Sequence, residues 1–189
     1  MKKINLLLAA FLGAATFGLT SCGDDCKDVT CNNGGTCVEG VCECPDNYFG
    51  DACDVQCVEG TFSANVCECN DDYEGDACDI LSREKFLGAF SVAEVCGSGS
   101  DNYSATITES SSDESVILIS NFYNVFDNPV RATVNGSEIT IASQTPDNDL
   151  FSVSGSGSIN ASESQVTISF SVTYPGISPD NCTSTYQKQ

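Results

Sequence analysis

Six cysteines between Cys26 and Cys53 constrain this chain more than any other feature of its sequence. They are separated by four, five, four, one and eight residues and enclose a turn-forming pair, Gly34 and Gly35. A stretch of 28 residues cannot bury enough apolar surface to fold alone, so these cysteines predict a small module that disulfides hold together. The spacing by itself leaves fifteen pairings of six cysteines open.

The number of cysteines in the whole chain indicates an oxidising compartment. There are 13 cysteines and no histidine among 189 residues. The cytosol would keep so many thiols reduced, and a zinc site is the alternative use for them. Closely spaced cysteines in a secreted, histidine-free module are more often bridged than metal-bound. We therefore expect no metal site and no cofactor.

The N-terminus has the pattern of a secretion signal. Lys2 and Lys3 precede an apolar stretch from Ile4 to Leu19, and small residues follow before Cys22. The stretch is short for a bilayer span, which needs about 20 apolar residues. Residues 1–21 are therefore predicted to be a signal peptide that is removed, and a transmembrane helix is the alternative.

The four residues Leu19-Thr20-Ser21-Cys22 resemble the lipobox of bacterial lipoproteins. This resemblance implies that Cys22 is lipidated and becomes the first mature residue, with residues 22–25 as a short acidic linker. The acidic residues Asp24 and Asp25 resemble the tags of surface lipoproteins in the Bacteroidota. Without Cys22, twelve cysteines remain, an even number that suits complete pairing. The expected location is extracytoplasmic, on the surface of a bacterial outer membrane, and the membrane is the first expected partner.

Residues 26–54 resemble an epidermal-growth-factor-like (EGF-like) domain. The resemblance rests on the six cysteines, on Asn33-Gly34-Gly35 between the second and third, and on Tyr48-Phe49-Gly50 before the last. It implies three disulfides, which are Cys26–Cys37, Cys31–Cys42 and Cys44–Cys53.

Residues 55–79 repeat part of this module. At an offset of 25 residues, 11 of the 14 residues from Val41 to Asp54 are identical in the second stretch, which indicates a duplication. The counterparts of Cys26 and Cys31 are missing. Of the three possible connectivities, the simplest joins Cys57 to Cys67 and Cys69 to Cys78.

The acidic residues of the chain are expected to form a solvated surface. The formal net charge is −20, from 7 basic and 27 acidic residues. This balance disfavours nucleic acid as a partner, because phosphate binding needs clustered Lys and Arg. Calcium is the one cofactor that the EGF-like resemblance allows, but residues 38–41 between the third and fourth cysteines contain no Asn or Asp, so it is poorly supported.

Residues 80–189 change to a composition rich in Ser, Thr and β-branched residues. They predict an antiparallel all-β domain after a possible helical turn between Ile80 and Gly88. Asn135-Gly136 predicts a two-residue type I′ hairpin. The strand candidates are Ala89–Val95, Tyr103–Glu109, Val116–Phe122, Val130–Val134, Glu138–Ser143, Leu150–Gly155, Gln165–Tyr174 and Cys182–Tyr186.

Cys96 and Cys182 are the two cysteines left over, and they are predicted to pair. Bridged α-carbons lie about 6 Å apart, so the first and last strands would be neighbours. A meander whose ends meet is a barrel or a nearly closed sandwich. This part of the chain resembles the calycin- or lipocalin-like barrels of bacterial lipoproteins.

The sequence favours binding over catalysis. No histidine is available to activate a serine, and the serines at 98, 110–112 and 154–158 lie in stretches expected to be flexible. We expect a non-catalytic adhesion or display protein that binds an unknown protein or glycan. The alternative is a carrier of a small apolar ligand inside the barrel, lined by Phe90, Ile107, Phe151 and Phe170.

Overall fold

The computed structural model describes residues 25–64 and 66–189. The predicted signal peptide and Cys22 lie outside these residues. Across the described ranges, no helix combines the length and the apolar character needed to cross a membrane.

Two cysteine-rich modules begin the described chain, and both consist of short antiparallel pairs. The first module contains one hairpin, and its last strand pairs over two residues with the first strand of the second module. The strands of the two modules are β1 (Thr36–Val38), β2 (Val41–Glu43), β3 (Tyr48–Phe49), β4 (Val55–Gln56), β5 (Gly60–Ser63), β6 (Val66–Cys69), β7 (Tyr73–Glu74) and β8 (Ile80–Leu81). The pairs are β1 with β2, β3 with β4, β5 with β6, and β7 with β8.

Disulfides hold the modules, and they join the pairs expected from the sequence. The five bridges are Cys26–Cys37, Cys31–Cys42, Cys44–Cys53, Cys57–Cys67 and Cys69–Cys78. Cys53 and Cys78 are fully buried, so the sulfurs take the place of an apolar core. The Phe49 and Phe62 rings stack at 5.7 Å and join the two modules.

The duplication is visible in the backbone as well as in the sequence. Cys53 and Cys78, which are 25 residues apart, both have positive φ, at 55° and 54°. Gly50 and Gly75 have φ of 90° and 89°. In both modules the cysteine N–H donates to the glycine carbonyl at 3.2 Å. The two copies therefore repeat one tight turn, which positions the last cysteine of each module for its bridge.

A 3₁₀ segment at Ser82–Phe86 leads into eight longer strands. A second short 3₁₀ segment at Phe122–Asn124 lies between the third and fourth of them. These strands are β9 (Gly88–Cys96), β10 (Ser100–Glu109), β11 (Val116–Ser120), β12 (Val130–Asn135), β13 (Glu138–Gln144), β14 (Ser152–Ile159), β15 (Gln165–Thr173) and β16 (Asp180–Lys188).

The eight strands form a closed antiparallel barrel, which confirms the predicted fold class. Each strand pairs with the next along the chain, and β16 pairs with β9 to close the sheet. Cys182 lies directly opposite Cys96 in that last pair, and the two are bridged. The predicted neighbourhood of the first and last strands is thus present, and the barrel has no free edge.

Side chains of the barrel fill its interior. Val166, Ile168, Phe170 and Val172 of β15 are buried, and the residues between them are not, as the alternation predicts. One continuous cluster of buried residues extends through the barrel, and it begins with Phe86, which precedes the first barrel strand. Three of the four residues predicted to line a ligand cup, Phe90, Ile107 and Phe170, belong to this packed core.

Several sequence expectations are corrected in detail. Strand β11 ends at Ser120, and Phe122 lies in the following 3₁₀ segment. The residues at 154–158, expected to be flexible, form part of β14. The hairpin after β12 has Gly136 and Ser137 as its two loop residues, because Asn135 pairs with Glu138. Since only Gly136 has positive φ, at 56°, the turn is not type I′ and has the glycine position of type II′.

The barrel has two different ends, which the direction of its strands defines. The joint end holds residues 110–115, 136–137 and 160–164 together with Ser82–Phe86, and the second cysteine-rich module contacts this end through Tyr73 and Glu74. The far end holds residues 97–99, 121–129, 145–151 and 174–179. Phe86 is buried in the core at the joint end, and Phe122 and Phe126 are buried in the core at the far end. Each end of the core is therefore covered by an aromatic side chain from a non-strand segment.

Removing the Cys96–Cys182 bridge is expected to lower the unfolding free energy of the barrel by about 2–5 kcal/mol. The two cysteines are 86 residues apart in the sequence, so loss of the bridge raises the conformational entropy of the unfolded chain by opening a large loop. Urea unfolding of the C96A/C182A double variant, followed by near-UV circular dichroism, measures this. The control is C44A/C53A, which opens a loop of only 9 residues in the first module. Equal shifts of the barrel transition in both variants would contradict the prediction.

Candidate functional site

Glu94 is a buried carboxylate near the far end of the barrel. It follows Phe90 and Val92 on the inward face of β9, and only 4% of its surface is exposed. Its Oε2 accepts hydrogen bonds from the hydroxyls of Tyr103 and Ser184, both at 2.7 Å. These donors come from β10 and β16, the two neighbours of β9, so the strand pairing itself assembles the cluster.

The Tyr186 hydroxyl lies beside this cluster without a hydrogen bond. Tyr186 is fully buried, and its hydroxyl has no partner among the described residues. Burial is the main cause that raises the pKa of Tyr186, and the charge of Glu94 adds to it. The Tyr103 hydroxyl is close enough to influence Tyr186, but the two do not reach hydrogen-bonding geometry. Burial also raises the pKa of Tyr103, so both phenols keep their protons, and Tyr103 donates its own to Glu94.

A second polar group at the far end is centred on Asp180. Its carboxylate accepts hydrogen bonds from the Ser98 hydroxyl, from the Ser98 N–H at 3.1 Å, and from the Tyr123 hydroxyl at 2.8 Å. The Ser98 hydroxyl is the largest influence that lowers the pKa of Asp180. Burial raises the pKa of Tyr123, and its bond to Asp180 adds to this. The pair therefore stays as phenol and carboxylate at neutral pH.

Tyr123 has a backbone conformation that side chains rarely adopt. Its φ is 59°, and Asn121 and Asn124 on either side have φ of 54° and 53°. Asparagine tolerates this left-handed region, but an aromatic residue there is an outlier. The ring packs edge-to-face on Phe170 at 5.9 Å, which compensates for the strain. Such strain is often found at binding sites.

Charges are unevenly distributed between the two ends of the barrel. The far end carries carboxylates, which are Glu94, Asp101, Asp127, Asp147, Asp149 and Asp180. The described basic residues of residues 80–189 lie elsewhere: Arg83, Lys85 and Lys188 lie at the joint end, and Arg131 points outward from the barrel wall. In the part of the chain that the structure describes, the only ion pairs are Arg83 with Glu109 and Lys85 with Glu74.

Arg83 holds the segment Ser82–Phe86 to the barrel, and two other side-chain contacts join the joint end to the second module. Arg83 is 8% exposed and donates to the carbonyls of Ser110 and Asp113, at 3.1 and 2.9 Å. Lys85 pairs with Glu74 of β7 at 2.5 Å, and the Tyr73 hydroxyl donates to Glu114 at 2.9 Å. These contacts hold the barrel against the second module, with the far end facing away.

Three cavities bear on where a ligand could bind. A groove of about 720 Å³ between the modules is lined by Tyr48, Phe49 and Phe62. A cavity of about 300 Å³ at the far end, which we call the mouth cavity, is lined by Glu94, Cys96, Ser98, Gly99, Ser100, Asp101, Tyr123 and Val125. A smaller hollow of about 110 Å³ lies on the other side of Tyr123, beside Phe151 and Tyr174.

The predicted ligand cup is not formed by the residues expected to line it. Phe90, Ile107 and Phe170 are packed in the core. Phe151 does not face the interior, because it is 38% exposed at the far end and contacts Tyr174 at 4.9 Å. A barrel that its own side chains fill disfavours the carrier alternative.

Glu94, Cys96 and Cys182 have the spacing of a metal site but not its chemistry. One possible ligand atom of each lies within 4.8 Å of the others. Both sulfurs belong to one disulfide, so neither is the thiolate that a metal would bind.

The sequence analysis did not single out Glu94, Tyr103, Tyr123, Asp180 or Tyr186. For Glu94 a signal was available, since the alternation of Phe90 and Val92 continues to it and places it on the inward face. No local pattern marks Tyr123, whose position depends on packing against β15.

Comparison with known proteins identifies one part of the chain. The family model described as EGF-like domain matches residues 22–53. An EGF-like domain-containing protein of Caenorhabditis elegans is 48% identical over 31 residues, which are 16% of this chain and 13% of the worm protein. No solved structure matches the chain. The protein thus has an EGF-like domain followed by an eight-stranded barrel, and that domain with its disulfides indicates an extracellular or secreted setting.

Ser98→Ala is expected to raise the pKa of Asp180 towards its ordinary value of 3.8. Because that pKa is lowered in the folded state, the interaction stabilises the fold above pH ~4 and is lost as the pH falls through the lowered value. NMR titration of the side-chain carboxyl carbons measures the pKa of Asp180 in the unaltered protein and in the variant.

Asp147 is the internal reference for that titration. The pKa of its carboxyl is also lowered, chiefly by the Asn128 N–H, which the substitution leaves in place. Parallel movement of Asp147 and Asp180 in the variant would refute a specific role for Ser98.

Proposed function

We propose that this protein is a non-catalytic binding or display protein on a bacterial cell surface. Lipid on Cys22 holds it to the outer membrane, the two cysteine-rich modules act as a stalk, and the far end of the barrel contacts a protein or glycan. The observation that carries the proposal is the apolar surface of the far end.

Exposed large apolar side chains on the barrel are concentrated at that end. They are Val95, Val125, Leu150, Phe151 and Ile177, with exposed fractions of 62%, 58%, 59%, 38% and 66%. We call them the apolar rim. Four of them, all but Val95, lie in loops at residues 121–129, 145–151 and 174–179, where binding residues are commonly found. Clustered apolar surface on a soluble domain marks an interaction site.

The joint supports an outward orientation of this rim. Lys85 and Tyr73 join the barrel and the second module at the opposite end, through Glu74 and Glu114. A chain tethered before the first module therefore presents the rim on the side away from the tether. The acidic surface keeps such a display protein soluble.

The cysteine count supports lipid attachment at Cys22. Six disulfides use twelve cysteines of the described residues, and the chain has 13. Cys22 is the cysteine that these bridges do not use, and it ends the lipobox-like Leu19-Thr20-Ser21-Cys22. Acyl chains give about 0.8 kcal/mol for each buried methylene, so a multiply acylated cysteine anchors firmly. Eight strands in up-and-down order also agree with a calycin-like barrel.

Intact-mass spectrometry of the mature protein is expected to show a lipidated N-terminus at Cys22. Cys22→Ser is expected to release the protein from the membrane fraction of a bacterial host, with the barrel still folded. An unmodified Cys22 in the mature protein would overturn the anchoring part of the proposal.

A double substitution of the rim, L150S/I177S, is expected to abolish retention of a surface protein or glycan from bacterial and host extracts. Its matched control is V38S/V41S, which removes two exposed valines from the first module. Retention is measured with the immobilised, delipidated protein. Loss in the control but not in the rim variant would move the binding surface to the modules, and no retention by the unaltered protein would overturn the binding role.

A further inference from the structure

The carboxylate of Glu94 is buried without a positively charged partner among the described residues. Burying a charge costs several kcal/mol unless it is paired and hydrogen-bonded. Oε2 receives two hydroxyl hydrogen bonds, but Oε1 has only the Cys96 sulfur nearby, at 3.7 Å. That sulfur carries no hydrogen, because it is bonded to Cys182. One oxygen of a buried carboxylate is therefore left without a donor.

The Tyr186 hydroxyl is a second buried polar group in the barrel interior that lacks a partner among the described residues, although it does not line the mouth cavity. It is fully buried and has no hydrogen-bond partner in the part of the chain that the structure describes. Native proteins leave few such groups, and each asks for an explanation. The Tyr103 hydroxyl, which donates to Glu94, also influences this hydroxyl, so Tyr186 belongs to the surroundings of the Glu94 cluster.

Glu94 borders open space at the far end of the barrel. Glu94 and Cys96 both line the mouth cavity, and Oε1 is the oxygen on the Cys96 side. The volume of about 300 Å³ is at the lower end for small-molecule sites, which span roughly 300–1,000 Å³. The ring of Tyr123 forms part of the wall, and aromatic rings attract cations.

The charge and the lining of the mouth cavity favour an organic cation as its ligand. Carboxylates without basic side chains give the far end a negative potential, which concentrates cations. A calcium ion would need six to eight oxygen ligands. The mouth cavity offers carboxylates from Glu94 and Asp101, but both Asp101 oxygens already accept hydrogen bonds, from the Asn102 N–H and the Asn124 amide. The Ser98 hydroxyl is bonded to Asp180, and the Gly99 carbonyl to the Cys96 N–H. The rest of the lining is Ser100, Cys96, Tyr123 and Val125. An ammonium group attached to a small apolar body matches both parts of this lining.

We propose that the mouth cavity binds a small organic ammonium ion, whose charged group pairs with Glu94 and whose apolar body packs on Tyr123 and Val125. The strained turn at Tyr123 holds the ring in place over the cavity. This site shares the far end with the apolar rim, but it does not rest on the proposed display function.

Binding of 2-phenylethylammonium to the full mature chain tests the proposal, with neutral 2-phenylethanol as its isostere. Calorimetry is expected to show saturable binding of the cation and none of the alcohol at the same concentrations. Glu94→Gln keeps an acceptor for Tyr103 and Ser184 but removes the charge, and it is expected to weaken binding at least about tenfold. Asp127→Asn is the matched control, since it removes one charge from the same end outside the mouth cavity.

Amide NMR of the unaltered protein locates the ligand even if the Glu94 variant does not fold. Shifts are expected at residues 94–101 and 122–125. Equal binding of the alcohol, equal weakening by Asp127→Asn, or shifts confined to other residues would overturn the proposal. Displacement of the cation by calcium at equal concentration would show a metal site in its place. The rim variant L150S/I177S is expected to bind the cation normally. Failure of the proposed display function can therefore be distinguished from failure of cation binding in the mouth cavity.

Discussion

The pairing of β16 with β9 is the interaction on which the rest of the barrel depends. It converts a meander into a closed sheet, and the Cys96–Cys182 bridge fixes its register at the far end. The same pairing brings Ser184 and Tyr186 beside Glu94, while β10 supplies Tyr103 from the other side. Closure therefore creates both the apolar core and the polar cluster, and neither exists in an open sheet.

The contacts with the second module and the exposed apolar residues lie at opposite ends of the barrel. The joint end has the basic side chains, the buried Phe86 and the contacts with the second module. The far end has carboxylates without a basic partner, exposed apolar residues and a strained turn. Unfavourable features of this kind are tolerated where the surrounding sheet is rigid. This distribution resembles that of many binding proteins, in which a firm scaffold carries loops of lower stability.

Much of this fold could be predicted from the sequence, because its constraints are local or covalent. The EGF-like resemblance implied the three bridges of the first module, the partial repeat and the two cysteines left over predicted the other three, and the period-two pattern of β15 predicted its buried face. The site was harder to predict. An acidic residue on an inward strand position was interpreted as solvated, although the alternation that marks Glu94 was present. The turn at Tyr123 depends on Phe170, which lies 47 residues away in the chain. The loop at Gly136 shows that a shift of one residue changes the turn type.

The position of the barrel disulfide has a mechanical consequence. Any pull between the N-terminal side and a partner at the far end enters the barrel through Ser82–Phe86 and then acts along β9. That strand is hydrogen-bonded on both sides, so the force shears two ladders at once and does not peel them bond by bond. Cys96 stands at the end of β9 farthest from the pull and is covalently tied to β16. The strand cannot slide out of the sheet without breaking a sulfur–sulfur bond, so β9 can carry tension along the whole length of the barrel wall.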